Sequence, residues 1–200
     1  MSAIYLKSNE ALAEIAKHWL TLERIALDSE FMRVDTFYPI LALIQINDGE
    51  QTYLIDPLCI DQWQPLKDVF SAASVLKILH SPSEDFDVFF HNLGVIPRPI
   101  FDTQLAASMA SLGGIMGYQK LVKNLLELDV DKGETRSDWL KRPLSDSQLH
   151  YAAEDVNHLF SMTDLLTEKL TQLQRLSWFE EDCTSILDDW LEAQKQGYSY

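Results

Sequence analysis

Residues 24–31 read Arg24-Ile25-Ala26-Leu27-Asp28-Ser29-Glu30-Phe31, a hydrophobic strand whose far end carries two carboxylates. Side chains alternate faces along a strand, so Asp28 and Glu30 share one side while Leu27 and Phe31 point into apolar surroundings. Two like charges held that close repel each other. At about 4 Å and an effective dielectric of about 20 the pair costs roughly 4 kcal/mol, so a cation or a proton is the natural third party. A chain with 31 Asp plus Glu also produces such pairs by chance, and the remaining elements have to decide.

Working outward, residues 8–19 place helix formers behind a Ser/Asn cap, with Leu12, Ile15, Ala16 and Trp19 on one face. Residues 40–47 and 51–55 read as two strands joined by the turn signal Asn47-Asp48-Gly49-Glu50, an antiparallel hairpin beside the first strand. A helix over 62–72 and a short buried strand over 75–79 follow, ending at His80. Ser81 suits a helix cap and Pro82 a first turn; that helix carries Asp85 and stops at Gly94. Residues 100–102 lead into another helix at Thr103. Strands alternating with helices after an initial hairpin imply an α/β domain with a mixed sheet.

Residues 129–142 turn polar and hold the densest basic cluster, Lys132, Arg136, Lys141 and Arg142. Ser145 and Gln148 then fit a capping box that opens one long helix to about Gln174, with Tyr151 and Asp155 four apart on one face. Residues 177–194 read as a further amphipathic helix.

A length of 200 residues with 46% hydrophobic content suits one globular unit with a full core. No apolar run reaches 18 residues and the start lacks a signal-peptide pattern, so a soluble cytoplasmic protein is expected. Cys59 and Cys183 read as free thiols of a reducing compartment. The net charge of −15 argues against tight non-specific nucleic-acid binding by the whole surface. It leaves a nucleic-acid substrate open, because a site that gathers divalent cations is itself acidic.

Three elements thus offer carboxylates to a shared edge: Asp28 and Glu30 on a strand, Asp85 in the first turn of a helix, and Asp155 on a later helix with Tyr151 one turn before it. Four converging carboxylates suit two hard divalent cations, which in phosphoryl chemistry lie about 3.5–4 Å apart. Tyr151 could orient or deprotonate a water at the Asp155 end.

On these residues the chain resembles the DEDD superfamily of 3′-to-5′ exonucleases, in its tyrosine subclass and most nearly the ribonuclease D family. The likeness runs over residues 25–166. The first motif is Leu27-Asp28-Ser29-Glu30-Phe31 with Tyr38-Pro39 and Leu43-Ile44-Gln45; the second runs from His80 through Ser83-Glu84-Asp85 to Val88-Phe89; Asp102-Thr103-Gln104 matches a further stretch. The third is Tyr151-Ala152-Ala153-Glu154-Asp155-Val156, preceded by Arg136-Ser137-Asp138-Trp139-Leu140 and Arg142-Pro143-Leu144. One D-x-E is weak, whereas three motifs in order at these separations are specific.

The resemblance implies a ribonuclease H-like fold with a five-stranded mixed sheet flanked by helices. It implies that Asp28, Glu30, Asp85 and Asp155 hold two Mg²⁺ or Mn²⁺ ions and that Tyr151 positions the attacking water. The implied reaction releases nucleoside 5′-monophosphates from single-stranded RNA 3′ ends, in tRNA precursor processing or RNA turnover. An exonuclease on DNA and a non-cleaving nucleic-acid scaffold are the alternatives. The nuclease unit is expected over residues 1–170 and a helical extension over 171–200, with the HRDC-type helical domains of ribonuclease D absent.

Lys132, Arg136 and Arg142, just before the catalytic helix, are expected to contact phosphates, and Phe31, Phe37 and Tyr38 to offer a stacking surface for the terminal base. His80 and His158 read as packed histidines rather than ligands, Asp102 as a structural acid at a strand end, and Trp139 as packing.

Overall fold

The computed structural model describes residues 3–196 except 35, 131, 132 and 135. Strand β1 (Ile4–Leu6) and helix α1 (Asn9–Trp19) open the chain, and Ser8 caps α1 by accepting from the Ala11 amide. The long strand β2 (Arg24–Met32) follows, then the hairpin of β3 (Ile40–Asn47) and β4 (Thr52–Ile55). Its turn is built as the residues require. The Asp48 carboxylate accepts from the Glu50 and Gln51 amides, and Gly49 takes a φ of +97° that a side chain would resist.

Helix α2 (Gln64–Ser71), strand β5 (Leu76–Leu79), helix α3 (Ser83–Leu93), strand β6 (Ile100–Asp102) and helix α4 (Thr103–Met109) complete the alternation. Four helices finish the chain: α5 (Tyr118–Leu126), α6 (Asp146–Asn157), α7 (Leu159–Gln172) and α8 (Leu176–Lys195).

The strands form one mixed sheet of order β1-β4-β3-β2-β5-β6. β2, β3 and β4 are antiparallel neighbours, while β5 runs parallel to β2, β6 to β5 and β1 to β4. The sheet has six strands rather than five. The added one is β1, a three-residue edge strand too short to show a period in the sequence. Adjacent residues of β3 face opposite cores: Ile44 joins the cluster containing Phe86 and Phe89 of α3, and Leu43 joins the one containing Tyr151 and Ala152 of α6. With both faces covered, β3 loses the hydrophobic alternation that a half-exposed strand would keep.

Two local expectations differ. Ser81 is not the cap of α3: it adopts φ 56°, and its amide donates to Asp102 Oδ1 at 2.9 Å. Asp102 also accepts from the Gln104 amide at the start of α4, so this carboxylate fastens two helix starts and is structural, as its place at a strand end suggests. The long helix expected from 145 to 174 is interrupted at His158, although the Ser145/Gln148 capping box is present. The interruption has a physical cause. The Tyr118 hydroxyl stands in the helical ladder there, donating to the Glu154 carbonyl at 2.5 Å and accepting from the His158 amide.

Candidate active site

Strand β2 carries the site because its pleat distributes three consecutive residues. Asp28 pairs across the sheet with Gln45 and Glu30 with Leu43, so both carboxylates lie on the α6 side. Ser29 pairs with Ile44 and lies on the α3 side. There the start of α3 brings in Asp85, and the Ser29 hydroxyl donates to Asp85 Oδ1 at 2.5 Å. Across from β2, α6 presents Asp155, whose carboxylate accepts from the Tyr151 hydroxyl one turn earlier.

All four carboxylates and Tyr151 line a single cavity of about 480 Å³. Phe31 lines it too. Gly117, Tyr118 and Gln119, where α5 begins, and Glu84, a fifth carboxylate, also line it. Among the described residues no Lys or Arg does.

The electrostatics follow from that composition. Burial pushes Asp28 well above the usual carboxylate range, and Asp85, Asp155 and Glu30 add to the push. Burial, with Asp155 and Asp85 close by, lifts Glu30 to about 9. Asp85 and Asp155 rise to about 7, again through burial; the Ser29 hydroxyl pulls Asp85 back down and the Tyr151 hydroxyl does the same for Asp155. The acids behave as one repelling set that holds protons unless positive charge arrives. As they stand, no three described Asp, Glu, His or Cys side chains are drawn tightly enough around one point to grip an ion. The donor set is nonetheless all carboxylate oxygen, the chemistry that hard divalent cations select.

The two histidines pack. His80 bonds Thr103 Oγ1 through Nδ1 and the Met116 carbonyl through Nε2, and burial lowers it to about 4, so it is neutral. A carbonyl only accepts, so the Nε2 carries its proton. His158 Nε2 lies 3.2 Å from Glu154 Oε2.

A family model described as a 3′-5′ exonuclease matches residues 3–171. The chain belongs to the 3′-5′ exonuclease family. Among curated relatives of this exonuclease-family domain, Ribonuclease D of Pseudomonas paraeruginosa is 46% identical over 183 residues, covering 92% of this chain and 48% of the relative. Ribonuclease D of Xanthomonas oryzae is 51% identical over 164 residues, covering 82% and 45%. The crystal structure of Escherichia coli RNase D superposes with a TM-score of 0.91 at 37% identity, over 95% of this chain and 51% of that one. The ribonuclease D likeness read from the motifs is thus matched by relatives of that name. The chain spans about half the length of those curated relatives.

Of the described residues expected to bind substrate, only Phe31 reaches the cavity. Tyr38 is half exposed and stacks on His91, with ring centroids 3.9 Å apart, and Phe37 stands against it. Arg136 is exposed and does not line the cavity. Lys132 lies outside the described residues. Arg142 does not line the cavity either; all five of its N–H donors are taken inside the fold, by both oxygens of Asp56 and by three carbonyls. Trp139 packs, as read, with its ring 6.0 Å from that of Tyr151.

Sequence reading missed two contributors to the cavity. Ser29 sits between two acids and carried no signal of its own, since nothing in the pattern tells which helix its face meets. Tyr118 acts on Glu154, 36 residues away, and no local spacing announces that.

Proposed function

We propose that this domain is a metal-dependent 3′-to-5′ exoribonuclease that removes nucleoside 5′-monophosphates from single-stranded RNA ends, tRNA precursors included. The observation that carries the reading is one cavity in which carboxylates from β2, α3 and α6 meet a tyrosine hydroxyl, with no Lys or Arg among the described residues that line it. Asp28, Glu30, Asp85 and Asp155 would hold two Mg²⁺ or Mn²⁺ ions. When bound, such ions supply Lewis acidity for the attacking and leaving oxygens and offset the phosphate charge.

The chain's own residues do the rest. Tyr151, placed by its bond to Asp155, orients the water attacking the terminal phosphodiester. Phe31 offers an apolar wall to the last base, and Tyr38 with exposed Phe37 offers stacking surface further out. Arg136 and Lys132 remain candidates for phosphates upstream of the cleaved bond. Within the extension, α8 serves as a brace for the nuclease unit, a role supported by its Phe179, Cys183, Leu187 and Trp190 joining the main core. A cytoplasmic setting accords with the two free cysteines. No described helix is long and apolar enough to cross a membrane.

The test is a time course on 5′-labelled single-stranded RNA with Mn²⁺ or Mg²⁺, beside EDTA, an Asp155→Ala variant and matched DNA. A ladder shortening stepwise from the 3′ end, lost with EDTA and in the variant, is the expected result. Equal or faster loss of the DNA would move the assignment to deoxyribonuclease. Intact substrate with a folded, Mn²⁺-binding protein would overturn cleavage and leave a binding scaffold.

A further inference from the structure

A side chain with all five of its donors bonded, Arg142, lies outside the cavity, and the fold gives it two routes to the cavity's reacting groups. Strands β2 and β3 slip register beside the site: Glu30 pairs with Leu43 but Phe31 pairs with Leu41, so Ala42 is an extra, unpaired residue. A bulge of this kind bends the strand and re-aims the side chains next to it. Ala42 is fully buried, so its carbonyl needs a partner. Arg142 Nη2 provides it at 2.7 Å.

The same guanidinium forks onto Asp56, with Nε to Oδ2 and Nη2 to Oδ1 both at 2.8 Å, at the end of β4. Asp56 is buried and is held from the other side by the Tyr5 hydroxyl at 2.7 Å. Nη1 takes the carbonyls of Trp139 and Lys141. Trp139 in turn is buried against the Tyr151 ring.

We propose that Arg142 is a positioning residue for both halves of the reaction centre: through the Ala42 bulge it sets Glu30, and through Trp139 it sets Tyr151. The proposal rests on the exonuclease reading of the cavity. A planar fork with five fixed donors can hold three chain segments at once, whereas a lysine ammonium has three donors and no plane. The competing role, direct contact with a phosphate, would need free donors, and all five are occupied.

The experiment compares Arg142→Lys and Arg142→Met with Asp56→Asn and the milder Tyr5→Phe, which keep the arginine and loosen its anchor. Three quantities are read: Mn²⁺ affinity by calorimetry without substrate, the split between kcat and KM on RNA, and the salt dependence of KM. Loss of an outer partner of a metal site costs about 10–100-fold in metal affinity or activity. Expected here is a fall of that order in Mn²⁺ affinity and in kcat for Arg142→Lys, a smaller fall for Asp56→Asn, and an unchanged KM and salt slope.

A raised KM with a salt slope reduced by about 0.7, and kcat and Mn²⁺ affinity intact, would make Arg142 a phosphate contact and overturn the proposal. A lowered melting temperature with unchanged Mn²⁺ affinity and kcat would make it a fold staple only, and would equally overturn it. Should Arg142→Met fail to fold, Asp56→Asn and Tyr5→Phe carry the same readouts. If the wild-type protein cleaves no RNA, the exonuclease reading fails on that result alone, while the Mn²⁺ series still decides whether Arg142 shapes the site.

Discussion

The Tyr118 hydroxyl donates to the Glu154 carbonyl at 2.5 Å and thereby ends α6 at Asn157, two residues after Asp155. In an uninterrupted helix the Glu154 carbonyl would take the His158 amide; the hydroxyl stands between them instead. The phenol ring lines the cavity as well. Tyr118→Phe lets Glu154 and His158 bond each other, so its stability cost is held to about 1 kcal/mol. Asp155 would turn with the straightened helix. The expected outcome is a near-normal melting temperature with kcat on RNA down roughly 10-fold, checked by calorimetry beside single-turnover cleavage.

Ser29 predicts a sharper metal phenotype. Its hydroxyl is the side-chain donor to Asp85 and opposes the burial that raises that carboxyl. Ser29→Ala removes the donor from a buried acid, so the acid holds its proton more tightly and yields it less readily to a cation. Mn²⁺ affinity should fall about 10-fold, with kcat recovered at high Mn²⁺, and Ser29→Thr should restore both. Calorimetric titration of the three proteins reads it directly; equal affinities would remove Ser29 from the site.

What was legible in the sequence is what is local. The period-two spacing of Asp28 and Glu30, the i,i+4 spacing of Tyr151 and Asp155 and the Ser145/Gln148 capping box each depend on neighbours within five residues, and each reads correctly. The roles that were illegible depend on distance. Arg142 meets Asp56 across 86 residues and Ala42 across 100, so a cluster of basic residues ahead of a catalytic helix looked like a phosphate site while one member was already spent on the fold. The break at His158 has neither Gly nor Pro to announce it, because its cause is a side chain from another helix. Edge strand β1 was invisible because three residues carry too little pattern.

Lys77 tests the fold independently of the site. It is fully buried in β5, and its ammonium donates to the carbonyls of Ala72, Val75 and Arg98 at 2.8, 2.6 and 2.5 Å. Burial lowers it to about 7, yet three carbonyl acceptors and no nearby cation favour the charged form, and the ammonium is the state the geometry fits. Lys77→Met keeps the chain length and orphans three carbonyls at the joint between α2, β5 and the segment before β6. A loss of about 2–4 kcal/mol is expected, less than the sum of three unmet acceptors because a buried charge is also removed. Urea unfolding with an unchanged m-value checks it.

The clustered carboxylates predict how the metal-free protein responds to pH. Asp85 and Asp155 sit at about 7 and Glu30 at about 9, above their values of 3.8 and 4.5 in an unfolded chain, and Asp28 is raised as well. Between pH 4.5 and 7 the native state therefore binds more protons than the unfolded one, and stability falls as pH rises. His80, lowered from 6.5 to about 4, works the other way, but it is one group against four. Lys77, lowered to about 7, also opposes the trend, but only at the top of this window. The melting temperature without metal should thus be higher at pH 5 than at pH 7. Asp28→Asn should raise the stability at pH 7, by on the order of 1–3 kcal/mol of relieved repulsion, and flatten the slope. Saturating Mn²⁺ should do in the wild type what the variant does by subtraction. At about a hundredfold over Kd it adds roughly 2.7 kcal/mol, or on the order of 5–11 °C, and Asp28→Asn should lose most of that gain. Thermal scans of both proteins at the two pH values, with EDTA and with Mn²⁺, settle it: a wild type equally stable at pH 5 and 7 with EDTA, and unmoved by Mn²⁺, would show that the four acids do not act as one site.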